Sequence, residues 1–237
     1  MLIQDRDRQI VLSVARFGQL TTTHIQNLHF HELASSTPLK RSLARLLEQK
    51  LLQRIERRLA GGTGAGSGQY VYQLGSAGWS LARKEGRYWP FRAVNFHTLG
   101  IANAHIELLR LEREGRLQIL GFTTEPDTHV VIAGADLRPD LFEDVAIPHA
   151  GKAMSLWIEI DMGTERATQL KDKLARYWHA FQNSDVTTMP VFPVILFIAP
   201  DDTRARELRW IIERGDKDAQ ELFLVSTMPE FGGLLFG

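Results

Sequence analysis

Apolar residues recur at helical spacing along the first part of the chain. Ile10, Val11, Val14 and Phe17 follow the charged start Gln4-Asp5-Arg6-Asp7-Arg8, which predicts an amphipathic helix over residues 5–17 that buries one face. Gly18 ends it. Thr21-Thr22-Thr23 offers a hydroxyl N-cap to a short second helix through His24, Ile25 and Leu28. Ser35-Ser36-Thr37-Pro38 joins a capping hydroxyl to a proline suited to a first helical turn, and opens a third helix with Leu39, Leu43, Leu46 and Leu47 on one face, running to about Lys50. Residues 51–58 alternate enough for a strand and residues 69–74 for a second, while the Gly-rich stretch 60–68 between them predicts a flexible hairpin tip. Ser76 begins a fourth helix.

Three helices followed by a hairpin is the order of a winged helix-turn-helix, expected over residues 1–92. Thr37, Lys40, Arg41 and Arg45 lie on or near the side of the third helix opposite its Leu stripe, where a recognition helix carries its base and phosphate contacts. Arg54, Arg57 and Arg58 are expected along the wing, within reach of phosphates. Charge supports a polyanionic partner for this half. Residues 1–95 hold 14 Lys+Arg against 6 Asp+Glu, and residues 96–237 hold 14 against 22, so a net charge of zero hides halves of +8 and −8. The expected partner is double-stranded DNA. The Gly-rich tip lacks the Gly-Lys-Ser/Thr ending of a nucleotide-binding loop, and His24, His29 and His31 lack ligand spacing for a metal.

Pro90 interrupts the crossing at residues 86–92, and a second domain is expected over residues 95–237. A helix over residues 97–114 leads into strand-like runs at 117–122, 137–147 and 155–161. An amphipathic helix follows with Leu170, Leu174, Tyr177, Trp178 and Phe181 on its stripe. An apolar strand at 192–198, a helix over 202–214 and a strand at 222–226 complete the order αβββαβαβ. The predicted class is α+β in two domains, the second having the αβββαβ core of the restriction-endonuclease-like α/β fold.

Acidic residues fall where that fold keeps its chemistry. Asp140 is expected on the second strand, and Glu159 and Asp161 are two apart on the third, hence on one face. Phosphodiester hydrolysis uses a divalent ion to polarise the phosphoryl oxygen and activate water, and Mg²⁺ takes a few hard carboxylate oxygens; Asp140, Glu159 and Asp161 are the candidate ligands. Glu107 reads as a partner of Arg110 or a residue at the stripe's edge ahead of a fourth acid of the site, and Tyr177 and Trp178 as packing residues ahead of base-stacking ones.

The run Glu159-Ile160-Asp161-Met162-Gly163-Thr164-Glu165, the Pro139-Asp140 pair and the Lys171-to-Tyr177 stretch resemble the replication-relaxation proteins of plasmids and other mobile elements. The resemblance implies association with mobile-element DNA and a nuclease-like domain. One position departs from the nuclease pattern of Pro-Asp followed by Asp/Glu-x-Lys: Asp161 stands where the Lys belongs. Lys171 or Lys173 on the next helix is a candidate for the displaced cation, and together with the three acids completes the candidate catalytic set. Two readings stand. The domain cuts or nicks DNA with Mg²⁺, or it is a regulator's module for dimerisation or for docking a replication or relaxase protein, with Glu159 and Asp161 in structural roles.

Composition narrows the setting. The absence of Cys excludes disulfides and thiolate metal sites, and the 44% hydrophobic, 24% charged chain has neither a signal-like start nor a membrane-length apolar run. A cytoplasmic protein without a membrane partner is expected.

Overall fold

The structure is a computed structural model and describes residues 3–55 and 70–236. The chain divides into two compact units, Met1–Ile106 and Glu107–Gly237. Its class is α+β.

In the first unit, α1 (Asp5–Phe17) buries Ile10, Val11, Val14 and Phe17. Gly18 stops it at φ 79°, a left-handed backbone that a side chain disfavours, and donates its N–H to Val14 O at 2.9 Å. The two-residue strand β1 (Leu20–Thr21) runs directly into α2 (Thr22–His29). Thr21 caps α2 reciprocally: its hydroxyl accepts the His24 N–H, and its own N–H reaches His24 Nδ1. α3 (Thr37–Glu48) carries Pro38 in its first turn and buries Leu39, Ser42, Leu43 and Leu46. β2 (Leu52–Ile55) and β3 (Val71–Leu74) pair antiparallel, and β3 also pairs with β1, so the sheet order is β1-β3-β2.

Behind the sheet, α4 (Ser76–Leu81) packs so closely that a Cβ on Gly78 would sit 1.9 Å from Leu51 O. Only glycine fits there. The Gly-rich stretch 60–68, Arg57 and Arg58 lie outside the described residues. β1 is absent from the sequence reading because two residues carry no periodicity.

The division between the units falls within α5 (Phe96–Arg113). The second unit then builds a mixed sheet from β4 (Gln118–Thr124), β7 (Leu141–Ile147), β8 (Lys152–Ile160), β9 (Val194–Ala199) and β10 (Phe223–Thr227). The order is β10-β9-β8-β7-β4, antiparallel across β4, β7 and β8 and parallel from β8 through β10. Parallel neighbours need crossovers, which α6 (Ala167–Gln182) and α7 (Asp202–Glu213) supply. Trp157, Tyr177, Phe197, Leu208 and Ile211 share one core cluster on this side of the sheet. α8 (Met228–Leu234) follows β10 and buries Phe231.

One expected element divides in two. The run 137–147 is the end of a small ribbon, β5 (Val130–Ile132) with β6 (Ala135–Leu137), and then β7. Pro139 lacks an N–H for a ladder and separates them, so Asp140 precedes β7 and is not in it. Among the described residues no helix is long and apolar enough to cross a membrane.

Candidate functional site

The second unit gathers its chemistry at one end of β7 and β8. Asp140 donates its N–H to Ile158 O at 3.1 Å, and its Oδ2 accepts the Ile160 N–H at 2.7 Å, so both its backbone and its carboxylate bind the residues flanking Glu159. Glu159, next to last in β8, shares a face with Trp157 because strand side chains alternate. On α6, Lys173 and Tyr177 are four apart and therefore stack along one stripe. That stripe meets Glu159: Lys173 Nζ lies 3.0 Å from Oε2, and the Tyr177 hydroxyl donates to Oε1 at 2.5 Å. Lys173 also reaches Glu165 Oε1 at 2.9 Å. Asp140 is 7% and Glu159 5% exposed, so this centre is shielded from bulk water.

Burial, and then the Asp140 charge, push Glu159 up to about 7 against the opposing pull of Lys173 and Tyr177. Burial works against the Lys173 ammonium, but Glu159 and Glu165 outweigh it and raise its pKa. The Tyr177 phenol is driven far above its ordinary value by burial and then by the neighbouring carboxylate, so it stays a donor. Two close carboxylates, a cation and a fixed hydroxyl donor result. Asp140 and Glu159 offer hard oxygens of the kind that suits Mg²⁺.

The other acid of the sequence reading turns away. Asp161 sits just past β8, its Oδ2 accepts Arg204 Nε at 2.5 Å, and its Oδ1 accepts the Gly163 N–H at 2.8 Å. It holds the turn after β8. Lys171 is exposed on a different side of α6, beside Trp178 and Arg214, and does not join the carboxylates. Glu107 pairs with Arg110 at 2.7 Å.

In the first unit, Thr37, Lys40 and Arg41 are exposed on α3 at helical spacing, clear of its buried stripe. Arg45 has a structural partner. Its Nε lies 2.6 Å from Asp7 Oδ2, and that carboxylate is buried in α1, so this cation ties the two helices together. Arg54 projects from β2 and lies over the Tyr70 ring, 4.1 Å from its centroid. His24 is occupied by the α2 cap and by Asn103 at 2.8 Å, and burial lowers its pKa. His29 bonds Ser13 Oγ, and burial followed by Arg6 lowers it to about 4.

A family model described as replication-relaxation matches residues 12–195. The chain belongs to the replication-relaxation family. No curated protein matches it. Among solved structures it is similar to the E. coli MarR C80S mutant complexed with operator DNA, at 13% identity over 35% of this chain and 52% of that one, with a TM-score of 0.27.

Two residues of this replication-relaxation protein escape a reading of its sequence. Tyr177 is 1% exposed and packs on Trp157 with ring centroids 5.9 Å apart, so its place on the apolar stripe hides a polar tip aimed at Glu159. Its spacing from Lys173 is the available signal. Arg204 falls on the buried stripe of α7 with Ala205, Leu208, Ile211 and Ile212. A cation among apolar stripe positions implies a buried anion elsewhere in the chain.

Proposed function

We propose that the protein is a DNA-binding component of plasmid or other mobile-element replication, with a winged helix that docks on duplex DNA and a PD-(D/E)xK-like centre that cuts or nicks it with Mg²⁺. The sheet order β1-β3-β2 around α1, α2 and α3, with Lys40 and Arg41 exposed on α3, supports the winged helix. Three antiparallel strands followed by crossovers to parallel β9 and β10 support a restriction-endonuclease-like second unit.

One observation carries the catalytic reading: Asp140 accepts a hydrogen bond from the strand backbone beside Glu159, near enough for its charge to act on that carboxylate, with Lys173 Nζ 3.0 Å from Glu159. Lys173 supplies from α6 the cation missing from the position that Asp161 fills. Asp140 and Glu159 would hold Mg²⁺, which when bound polarises the phosphoryl oxygen and lowers the pKa of an attacking water. Lys173 places positive charge beside the transferring phosphate, and Tyr177 fixes the Glu159 carboxylate so that it does not reorganise during reaction. Asp161 and Lys171 have no part in this chemistry.

A second reading, a docking module for a replication or relaxase protein or for a second copy, draws on the same network. Both Glu159 oxygens already have partners in Lys173 and Tyr177, as in a purely structural polar cluster. Incubation with supercoiled, linear and single-stranded DNA in Mg²⁺ or Mn²⁺ separates the two. The nuclease reading expects cleavage that Asp140→Asn and Glu159→Gln each abolish. No cleavage of any substrate, with no uptake of either ion in calorimetry, would leave the docking module.

A further inference from the structure

Between α4 and α5, the stretch from Arg87 to Phe91 alternates in exposure. Arg87, Trp89 and Phe91 face solvent while Tyr88 and Pro90 are half-buried. Trp89 is 63% and Phe91 61% exposed, a large apolar area to leave in water. The backbone beneath them is held firmly. The Gln73 carboxamide, itself 3% exposed, accepts the Phe91 N–H at 2.8 Å and donates to Phe91 O at 2.9 Å. Gln19, 1% exposed, repeats the pattern two and four residues later, donating to Ala93 O at 3.1 Å and accepting the Asn95 N–H at 2.8 Å. The Tyr88 hydroxyl donates to Gln53 Oε1 at 2.7 Å.

Two buried amides thus hold the backbone at Phe91, Ala93 and Asn95, and two aromatic rings of this segment stand in the open. Trp89 and Phe91 line one cleft of about 190 Å³, together with Val14, Leu74, Trp79 and Lys84. The segment is cationic: Lys84 lines the cleft, and Arg83, Lys84, Arg87 and Arg92 are all exposed within ten residues that hold a single acid, Glu85.

We propose that Trp89 and Phe91 form a stacking site for unpaired bases of a DNA strand whose phosphates meet Lys84, Arg87 and Arg92. Every base has a π face, so aromatic rings in a cationic groove take single strands with little regard to sequence. A backbone already held at Phe91, Ala93 and Asn95 by the two glutamines loses little entropy on binding, which favours this use over that of a mobile loop. The same cations disfavour a second copy of the chain as the occupant, because a two-fold contact would set each cluster against itself. The site rests on the DNA-binding reading only for the class of its ligand. Its residues are separate from the exposed face of α3.

The test measures anisotropy of a labelled oligothymidylate and of a labelled duplex of equal length against the full chain. Trp89→Ala with Phe91→Ala is expected to weaken single-strand binding about tenfold or more and to leave duplex binding unchanged, while Trp89→Phe keeps most of the affinity. Arg87→Ala with Arg92→Ala should flatten the salt dependence of single-strand binding by about 1.4 in log–log slope. Lys40→Ala with Arg41→Ala should do the reverse, weakening the duplex alone. Single-strand binding that survives the double aromatic variant, or a wild type that binds only duplex, overturns this site and leaves the α3 assignment standing. Self-association abolished by the aromatic variant, without single-strand binding, assigns the patch to a second copy and also overturns it.

Discussion

Arg204 donates its Nε to Asp161 Oδ2 at 2.5 Å across 43 residues of sequence, and the two side chains are 9% and 3% exposed. The same guanidinium donates to Glu165 O at 2.8 Å, so it fastens the turn between β8 and α6 at both ends. That turn carries Glu165, a partner of Lys173. Arg204 therefore acts on the carboxylate centre through the backbone.

Removing that guanidinium leaves the Asp161 charge buried without compensation, an effect of about 3–5 kcal/mol. Arg204→Met is expected to lower the urea midpoint of the second unit by a corresponding amount. The double variant Asp161→Asn with Arg204→Met should recover most of the loss, because it removes the orphaned charge. Additive losses in the double variant would show that the two side chains are not coupled.

Glu159 predicts a pH dependence with a definite sign. Its folded value of about 7 stands above the ordinary 4.5, so the folded protein keeps a proton that the unfolded chain gives up. The resulting stabilisation is complete below the unfolded value and is lost as pH rises through the folded one. The melting temperature of wild type, taken relative to Glu159→Gln, should fall between about pH 5 and about pH 8. A flat difference over that range would mean that Glu159 titrates as an ordinary carboxylate.

Arg45 and its neighbours on α3 should separate by readout. Arg45→Ala breaks the tie to buried Asp7 and is expected to lower the melting temperature of the first unit. Lys40→Ala with Arg41→Ala touches nothing buried and should leave it unchanged. The latter pair should instead reduce the log–log salt slope of duplex binding by about 1.8, one contributed phosphate contact each. Equal melting losses in both variants would argue against the Asp7 tie.

Tyr177→Phe deletes one donor and keeps the ring. The Glu159 oxygen it leaves behind has no water to replace the bond, so a loss of about 1–3 kcal/mol is expected. The loss should be larger at pH 8 than at pH 5, because the charged carboxylate needs the donor more. Urea unfolding at the two pH values measures it.

Much of this was legible where periodicity is long. α1, α3, α6, β8 and β9 repeat an apolar pattern over enough residues to declare their type and their buried face. The ribbon β5–β6 was not, since its three-residue strands turn through Ala133 at φ 48° and Gly134 at φ 82° and carry no pattern long enough to read. Site residues divide in the same way. Asp140 and Glu159 stand in local motifs and are found from neighbours in sequence. The partners of Asp161, Asp7 and Glu159 lie on other elements, and only the fold shows that Arg204, Arg45 and Tyr177 face them. Asp161 has the spacing of a ligand, but its direction is decided by a helix that begins about forty residues later.

Lys173 gives the carboxylate centre a resident counter-ion. Sites that depend on an incoming metal for their charge balance stay unfolded until it arrives, and chelators denature them. Here the Lys173 ammonium already offsets part of the charge of the buried acids, so the folding of the second unit has an internal source of counter-charge. Under the proposed nuclease reading, metal loading would then be a step separate from the folding of the unit.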